Sequence, residues 1–165
     1  MKILPLSGKL GKGKFTMVDD EDAARLEEMG VSLYADKISK NGTYVRFSYQ
    51  GKKFYLHRFI MQPSKEKVVD HINHNPLDNR KQNLRICTHL ENLRNSKSRR
   101  NSSSKFKGVR WVESRGKYRV EICYNKKRVN LGYFQKETDA ALAYNTKAKE
   151  LFGEFAFLND VRVAE

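Results

Sequence analysis

Asp70-His71-Ile72-Asn73-His74-Asn75-Pro76-Leu77-Asp78-Asn79-Arg80-Lys81-Gln82-Asn83-Leu84-Arg85, followed by Thr88-His89-Leu90-Glu91-Asn92, decides how this chain is read. A carboxylate stands directly before an imidazole, a polar loop returns through Asn83, and a short helix then presents Asn92. Val68-Val69-Asp70-His71 reads as a strand and Leu84-Arg85-Ile86-Cys87 as a second, with a loop rich in Asn, Asp and Pro between them. Thr88-His89-Leu90-Glu91 fits a capping box, in which the Thr88 hydroxyl accepts from the Glu91 backbone N–H and the Glu91 carboxylate reaches back. The helix start is thereby fixed, which sets Asn92 and Asn95 one turn apart on one face. Neighbours in a regular strand face opposite ways. Asp70 and His71 therefore reach one substrate only if the strand ends or bends there, as the turn-forming residues 73–76 allow. The groups assembled are hard oxygen ligands for a divalent cation and a base of near-neutral pKa able to activate water.

The segment resembles the HNH nuclease motif, and its order of strand, loop, strand and helix is that of the ββα-metal (His-Me finger) unit. The resemblance implies that His71 is the general base, that Asp70 and Asn92 hold the metal, and that Asn83 braces the loop and the His. The motif ends here in Asn92 rather than in a His, a variant found among phage endonucleases. Its oxygen ligands suit Mg²⁺ or Mn²⁺, one per active site. Arg85 has two open readings, a pair with Asp78 or a contact with the scissile phosphate. His57 reads as a core or loop-bracing residue, His74 as a solvent or DNA-backbone contact, and His89 as exposed.

Composition agrees with a polyanionic substrate. The 165 residues carry 33 Lys+Arg against 19 Asp+Glu, a formal +14 with pI near 9.8, which draws nucleic acid in and speeds encounter with it. The charge is uneven. Residues 97–133 hold six Lys and six Arg against Glu113 and Glu121, a net of +10, whereas residues 19–28 carry −5 and should point away from DNA. Hydrophobic content of 39% and mean hydropathy of −0.75 describe a polar chain. No apolar run approaches the ~18 residues of a membrane span, and residues 1–6 are too short for a signal-peptide core. Cys87 and Cys123 are expected to stay reduced in a cytosol, and the absence of any Cys-x-x-Cys pair excludes a bracing zinc knuckle.

The expected fold class is α+β. Residues 1–56 form a small αβ leader: a strand over 14–18, a helix capped by Asp19 and stopped by Gly30, with Ala23, Leu26 and Met29 inward, then strands over 43–49 and 53–57 joined at Gln50-Gly51. Residues 57–95 are the nuclease unit, and 96–105 a basic Ser/Asn-rich linker, whose Arg99 and Arg100 suit a DNA groove. Residues 106–160 read as a three-stranded antiparallel sheet packed on one helix, with strands over 108–112, 117–124 and 128–131 and a helix over 137–151 stopped by Gly153. Val120, Ile122 and Tyr124 share a face, as do Val129 and Leu131, and should pack on Ala141, Tyr144, Ala148 and Leu151. Trp111 belongs to that apolar side. The opposite face shows Arg119, Glu121, Cys123, Arg128 and Asn130, a polar surface fit for a major groove.

This last block resembles the DNA-binding domain of plant Apetala and ethylene-response factors, which also occurs in phage homing endonucleases. The resemblance is carried by Gly108-Val109-Arg110, Gly116-Lys117-Tyr118, Glu121-Ile122, Arg128-Val129-Asn130-Leu131-Gly132-Tyr133-Phe134, Ala140-Ala141-Leu142-Ala143-Tyr144-Asn145 and Leu158-Asn159. It implies DNA contacts at Arg110, Arg119, Glu121, Arg128 and Asn130, joined by Arg115 and Lys117. Asn130 and Arg115 stand where the family usually has Trp, so its base preference does not transfer. The expectation is a site-specific, metal-dependent double-stranded DNA endonuclease of the phage homing type, monomeric on DNA, with no membrane association, in the cytoplasm of a bacterial host cell. The competing expectation is a non-catalytic DNA-binding regulator on a degenerate nuclease scaffold.

Overall fold

Among the described residues, short strands broken by Gly, Asn and Pro give four small antiparallel sheets rather than one large one, with a few helices between them. The computed structural model describes residues 1–39, 42–98 and 102–161. The chain is a mixed α+β protein that divides into two compact units, Met1–His89 and Leu90–Glu165.

In the first unit, β1 (Lys2–Pro5) pairs with β2 (Phe15–Val18) as a ribbon, and α1 (Asp20–Glu28) follows directly. Asp20, Glu21 and Asp22 fill its first turn, where carboxylates oppose the positive end of the helix dipole. Asp19 stands at the N-cap but makes no side-chain cap bond. Its Oδ2 instead accepts from the Lys81 backbone N–H at 2.8 Å, so the expected cap is spent on the distant loop. Ala23 and Leu26 are buried and Met29 packs beside them, as the helical spacing predicts. β3 (Tyr34–Ser39), β4 (Gly42–Tyr49) and β5 (Lys52–Tyr55) form a sheet in that order. Gln50 and Gly51 take φ of 49° and 73°, the left-handed pair that a two-residue hairpin requires. β5 ends two residues earlier than expected, because Leu56–Met61 forms helix α2. Val18, Val45, Phe47 and Leu56 are fully buried at the centre of this unit. β6 (Val68–His71) and β7 (Leu84–Cys87) then pair across the polar loop, and α3 (His89–Arg94) begins where the capping pattern predicts.

The second unit is a sheet of β8 (Val109–Val112), β9 (Lys117–Tyr124) and β10 (Lys127–Phe134), with β9 in the centre, against α4 (Glu137–Phe152). Val120 and Ile122 are buried with Ala140, Ala141, Tyr144 and Ala148, as the alternation predicts. Two details differ. β10 runs three residues further than expected, and a bulge between Asn130 and Gly132 resets its alternation. Val129 and Tyr124, near the hairpin end, are 37% exposed each. The hairpin turn is Asn125-Lys126, with φ of 48° and 63°. Trp111 lies at the sheet edge, 37% exposed, edge-on to Tyr118 with ring centroids 4.9 Å apart. Buried Asn159 clasps the tail to the start of the sheet: its Oδ1 accepts from Lys107 N at 2.7 Å, and its own N–H donates to Asn145 Oδ1 at 2.7 Å.

Candidate active site and nucleic-acid face

β6 ends at His71, where the chain turns through a His74 N–H to His71 carbonyl bond of 3.0 Å. The ladder with β7 extends through His71, which stands opposite Leu84. Asp70 and His71 are both buried, at 7% and 6% exposure. Asp70 stands opposite Arg85 in the ladder, and its Oδ2 accepts from Arg85 Nε at 3.0 Å and Nη2 at 2.7 Å. Arg85 therefore pairs with Asp70, and the pairing with Asp78 is corrected. Asp78 belongs to Arg80, whose Nε and Nη2 each lie 2.7 Å from its two oxygens. Arg80 holds the Asp78 carboxyl below its ordinary pKa, and Asn73 adds a bond of 2.9 Å.

Asn83 braces the loop. Its Oδ1 accepts from Asn73 N at 3.0 Å, and its Nδ2 donates to the Asp78 carbonyl at 2.8 Å. The imidazole, however, is held by Asn79, which sequence reasoning missed. Asn79 is fully buried, and its Oδ1 lies 3.3 Å from His71 Nε2. Its Nδ2 donates to Thr16 Oγ1 at 2.9 Å and to the Pro76 carbonyl at 3.2 Å. The Thr16 hydroxyl donates in turn to the Leu77 carbonyl at 2.8 Å. Carbonyl oxygens only accept, so each step of this chain has one possible direction. Asn79 must present oxygen to His71, Nε2 must carry the hydrogen, and Nδ1 keeps the lone pair. Burial lowers the His71 pKa from its ordinary 6.5, while Asn79, Asp70 and Asp78 oppose that shift. Burial thus favours the neutral ring, and the hydrogen bond to Asn79 directs its hydrogen to Nε2.

His57, on α2, lies against this imidazole with ring centroids 5.3 Å apart, and Tyr44 sits 5.2 Å from His57 and 6.0 Å from His71. The His57 Nδ1 is buried with no hydrogen-bond partner among the described residues, and burial, then His71 and Arg58, push the His57 pKa down to about 3. A neutral packing ring matches the core reading of His57. His89 is exposed and His74, half-buried, occupies the loop with φ of 60°. Asn92 is half-buried on α3, in the second unit. Among the described residues no group of three His, Cys, Asp or Glu is gathered for metal binding. The donors that sequence points to, the Asp70 carboxylate and the Asn92 amide, are oxygen ligands, suited to an ion that keeps much of its shell as water and substrate oxygen.

On the second unit, Arg110 and Arg119 face each other across β8 and β9, Asn130 stands opposite Glu121, and Arg128 opposite Cys123. Arg110, Arg128 and Asn130 are exposed, and Lys117 is half-buried. Arg115 lies over the Tyr133 ring at 4.5 Å. Arg99 and Arg100 lie outside the described residues. Neither cysteine is in a disulfide, Cys87 lying buried and Cys123 exposed, and no helix of the described residues is long and apolar enough to cross a membrane.

Comparison with known proteins agrees with the loop and its flanking strands. Residues 55–94 match the sequence profile of the HNH endonuclease family. An uncharacterized HNH endonuclease of Acanthamoeba polyphaga mimivirus is 37% identical over 159 residues, covering 92% of this chain and 78% of that protein. Protein 3.8 of Escherichia phage T7 is 33% identical over 88 residues, covering 53% of this chain and 72% of that protein. No solved structure matches significantly. The chain belongs to the HNH endonuclease family, which makes it a nuclease with DNA as substrate.

Proposed function

We propose that the chain is a site-specific, homing-type endonuclease that cuts double-stranded DNA with one Mg²⁺ or Mn²⁺ per active site, acting as a monomer. In this reading an Apetala/ethylene-response-factor-like sheet domain targets it, and viral relatives favour a phage-encoded protein at work in the host-cell cytoplasm. The observation that carries the catalytic half is the one-way chain from the Leu77 carbonyl through Thr16 and Asn79 to His71. It presents Nδ1 as the base that takes a proton from the attacking water. As charge develops on the imidazole, the Nε2–H bond to Asn79 strengthens and stabilises it. Asp70 and Asn92 would hold the ion, Asn83 fixes the loop, and Arg85 orients Asp70 and contacts the scissile phosphate. The bound ion supplies charge neutralisation at the phosphate and the leaving oxygen.

The test is supercoiled plasmid incubated with the purified chain in Mg²⁺ and in EDTA. Cleavage in Mg²⁺ that EDTA abolishes is the expected result. Cleavage that survives EDTA removes the metal from the reading. Plasmid that is bound but uncut under every divalent ion tried favours the non-catalytic regulator.

A further inference from the structure

Arg110 and Arg119 stand directly opposite each other on one face of the sheet, a placement in which like charges repel. Glu121, two residues along β9 on the same face, takes both. One carboxylate oxygen lies 2.7 Å from Arg119 and the other 3.6 Å from Arg110. The Arg119 and Glu121 side chains are only 26% and 20% exposed. Arg119 Nε is buried and lacks an acceptor among the described residues, so the guanidinium is satisfied only in part where it rests. A carboxylate thus sits at the centre of the most basic stretch of the chain and neutralises half of the opposed pair.

We propose that Glu121 is a specificity-determining residue. It holds Arg110 and Arg119 away from phosphates on arbitrary DNA and releases them to a base-pair edge that offers a donor for its carboxylate beside acceptors for the guanidiniums. The inference rests on the proposed use of this sheet face for DNA. The major-groove edge of a G·C pair has that pattern, since guanine O6 and N7 accept and cytosine N4 donates. A backbone phosphate offers acceptors alone. Arginines drawn off to phosphate leave Glu121 facing a polyanion with no compensating donor. Discrimination then comes as much from this repulsion as from attraction to the right site. The orphaned Arg119 Nε gains an acceptor only on leaving its resting place, which favours release onto a base edge.

The experiment uses the full-length chain in EDTA, so that binding is read without cleavage. Fluorescence anisotropy on a short duplex of A·T pairs alone is recorded over a salt series, and binders are enriched from a pool of randomised duplexes. Glu121→Gln should bind the A·T duplex roughly 3- to 10-fold tighter, with a salt slope steeper by about one released counterion. Its enriched pool should lose the G·C bias of the wild-type pool. Glu121→Ala should move in the same direction, which guards against an effect peculiar to the amide. If Arg110→Ala and Arg119→Ala weaken binding while neither Glu121 variant tightens it, Glu121 is not a restraint and the inference falls, with the sheet still the DNA face. If none of the four variants changes binding, the sheet-face reading falls, and the inference with it.

Discussion

At the scale of the residue, His71 is a base whose working nitrogen is chosen by its neighbours. His71→Ala should lower cleavage by ~10²-fold or more, as loss of a general base does, with DNA affinity nearly unchanged; single-turnover cleavage beside anisotropy separates the two. Burial holds the His71 pKa below 6.5, so activity should be flat near neutral pH and fall on an acid limb whose midpoint lies under that value. Asn79 favours the charged imidazole. Asn79→Leu should therefore move the limb to still lower pH while cutting the rate at pH 7, because tautomer and ring orientation are no longer fixed. An acid limb that stays in place would detach Asn79 from His71. The Asp-His dipeptide was legible because its chemistry is local. Asn79 was not, since its role depends on Thr16, 63 residues away. The Arg85 partner was equally hidden, because it follows from ladder register: Asp70 faces Arg85 only once β6 and β7 pair.

At the scale of the element, most strands and helices are visible in the sequence, and the misses have physical causes. The run Phe54-Tyr55-Leu56-His57 has strand composition, yet a short apolar run does not by itself separate a strand from a buried helix. The core takes Leu56 and Ile60 together on α2. β3 is hard to see in the sequence because Asp36 and Lys37 interrupt its apolar pattern; Asp36 finds Arg46 at 3.2 Å in the neighbouring strand. The full length of β10 is hidden because alternation does not anticipate a bulge that shifts its own register. The sheet–helix junction yields a sharp prediction. Gly108 takes φ of 77°, and a Cβ there would run into the Tyr144 ring and within 2.8 Å of the Glu121 carbonyl oxygen. Gly108→Ala should destabilise the second unit by roughly 2–4 kcal/mol, combining left-handed strain with overpacking. Trp111, the single Trp, belongs to that unit, so its fluorescence follows the urea unfolding.

At the scale of the whole molecule, acid sensitivity is built into the first unit. His57 is buried neutral with a pKa of about 3, against an ordinary 6.5. Above pH 6.5 the group is neutral folded or unfolded and contributes no pH dependence. As pH falls below that, the unfolded chain gains a proton that the fold refuses, and stability should drop by about 1.4 kcal/mol per unit until the folded group titrates. His57→Phe should flatten urea midpoints between pH 7 and 4, followed by circular dichroism because Trp111 reports the other unit; an unchanged slope would place the acid sensitivity elsewhere. The proposed product also belongs to this scale. One Asp-His constellation holds one scissile phosphate, and the two strands of a duplex run antiparallel. A plasmid time course at limiting enzyme should accumulate nicked circles before any linear form. Concerted linearisation by a two-chain complex would overturn the monomer.

The bond between Thr16 and Asn79 has one more consequence, in the order of events during synthesis. β2 leaves the ribosome well before the loop it will hold, and it waits without its partner until residues 76–79 emerge. Closing a contact between such distant positions is a slow step in folding, so the imidazole acquires its working tautomer late. A chain interrupted before that step can own every residue of the motif and still lack a competent base. Amide exchange carries the signature of this dependence. The Asn79 N–H, which donates to the Met17 carbonyl, and the Met17 N–H, which donates to the Leu77 carbonyl, should exchange together, opening as one unit with the core beneath β2.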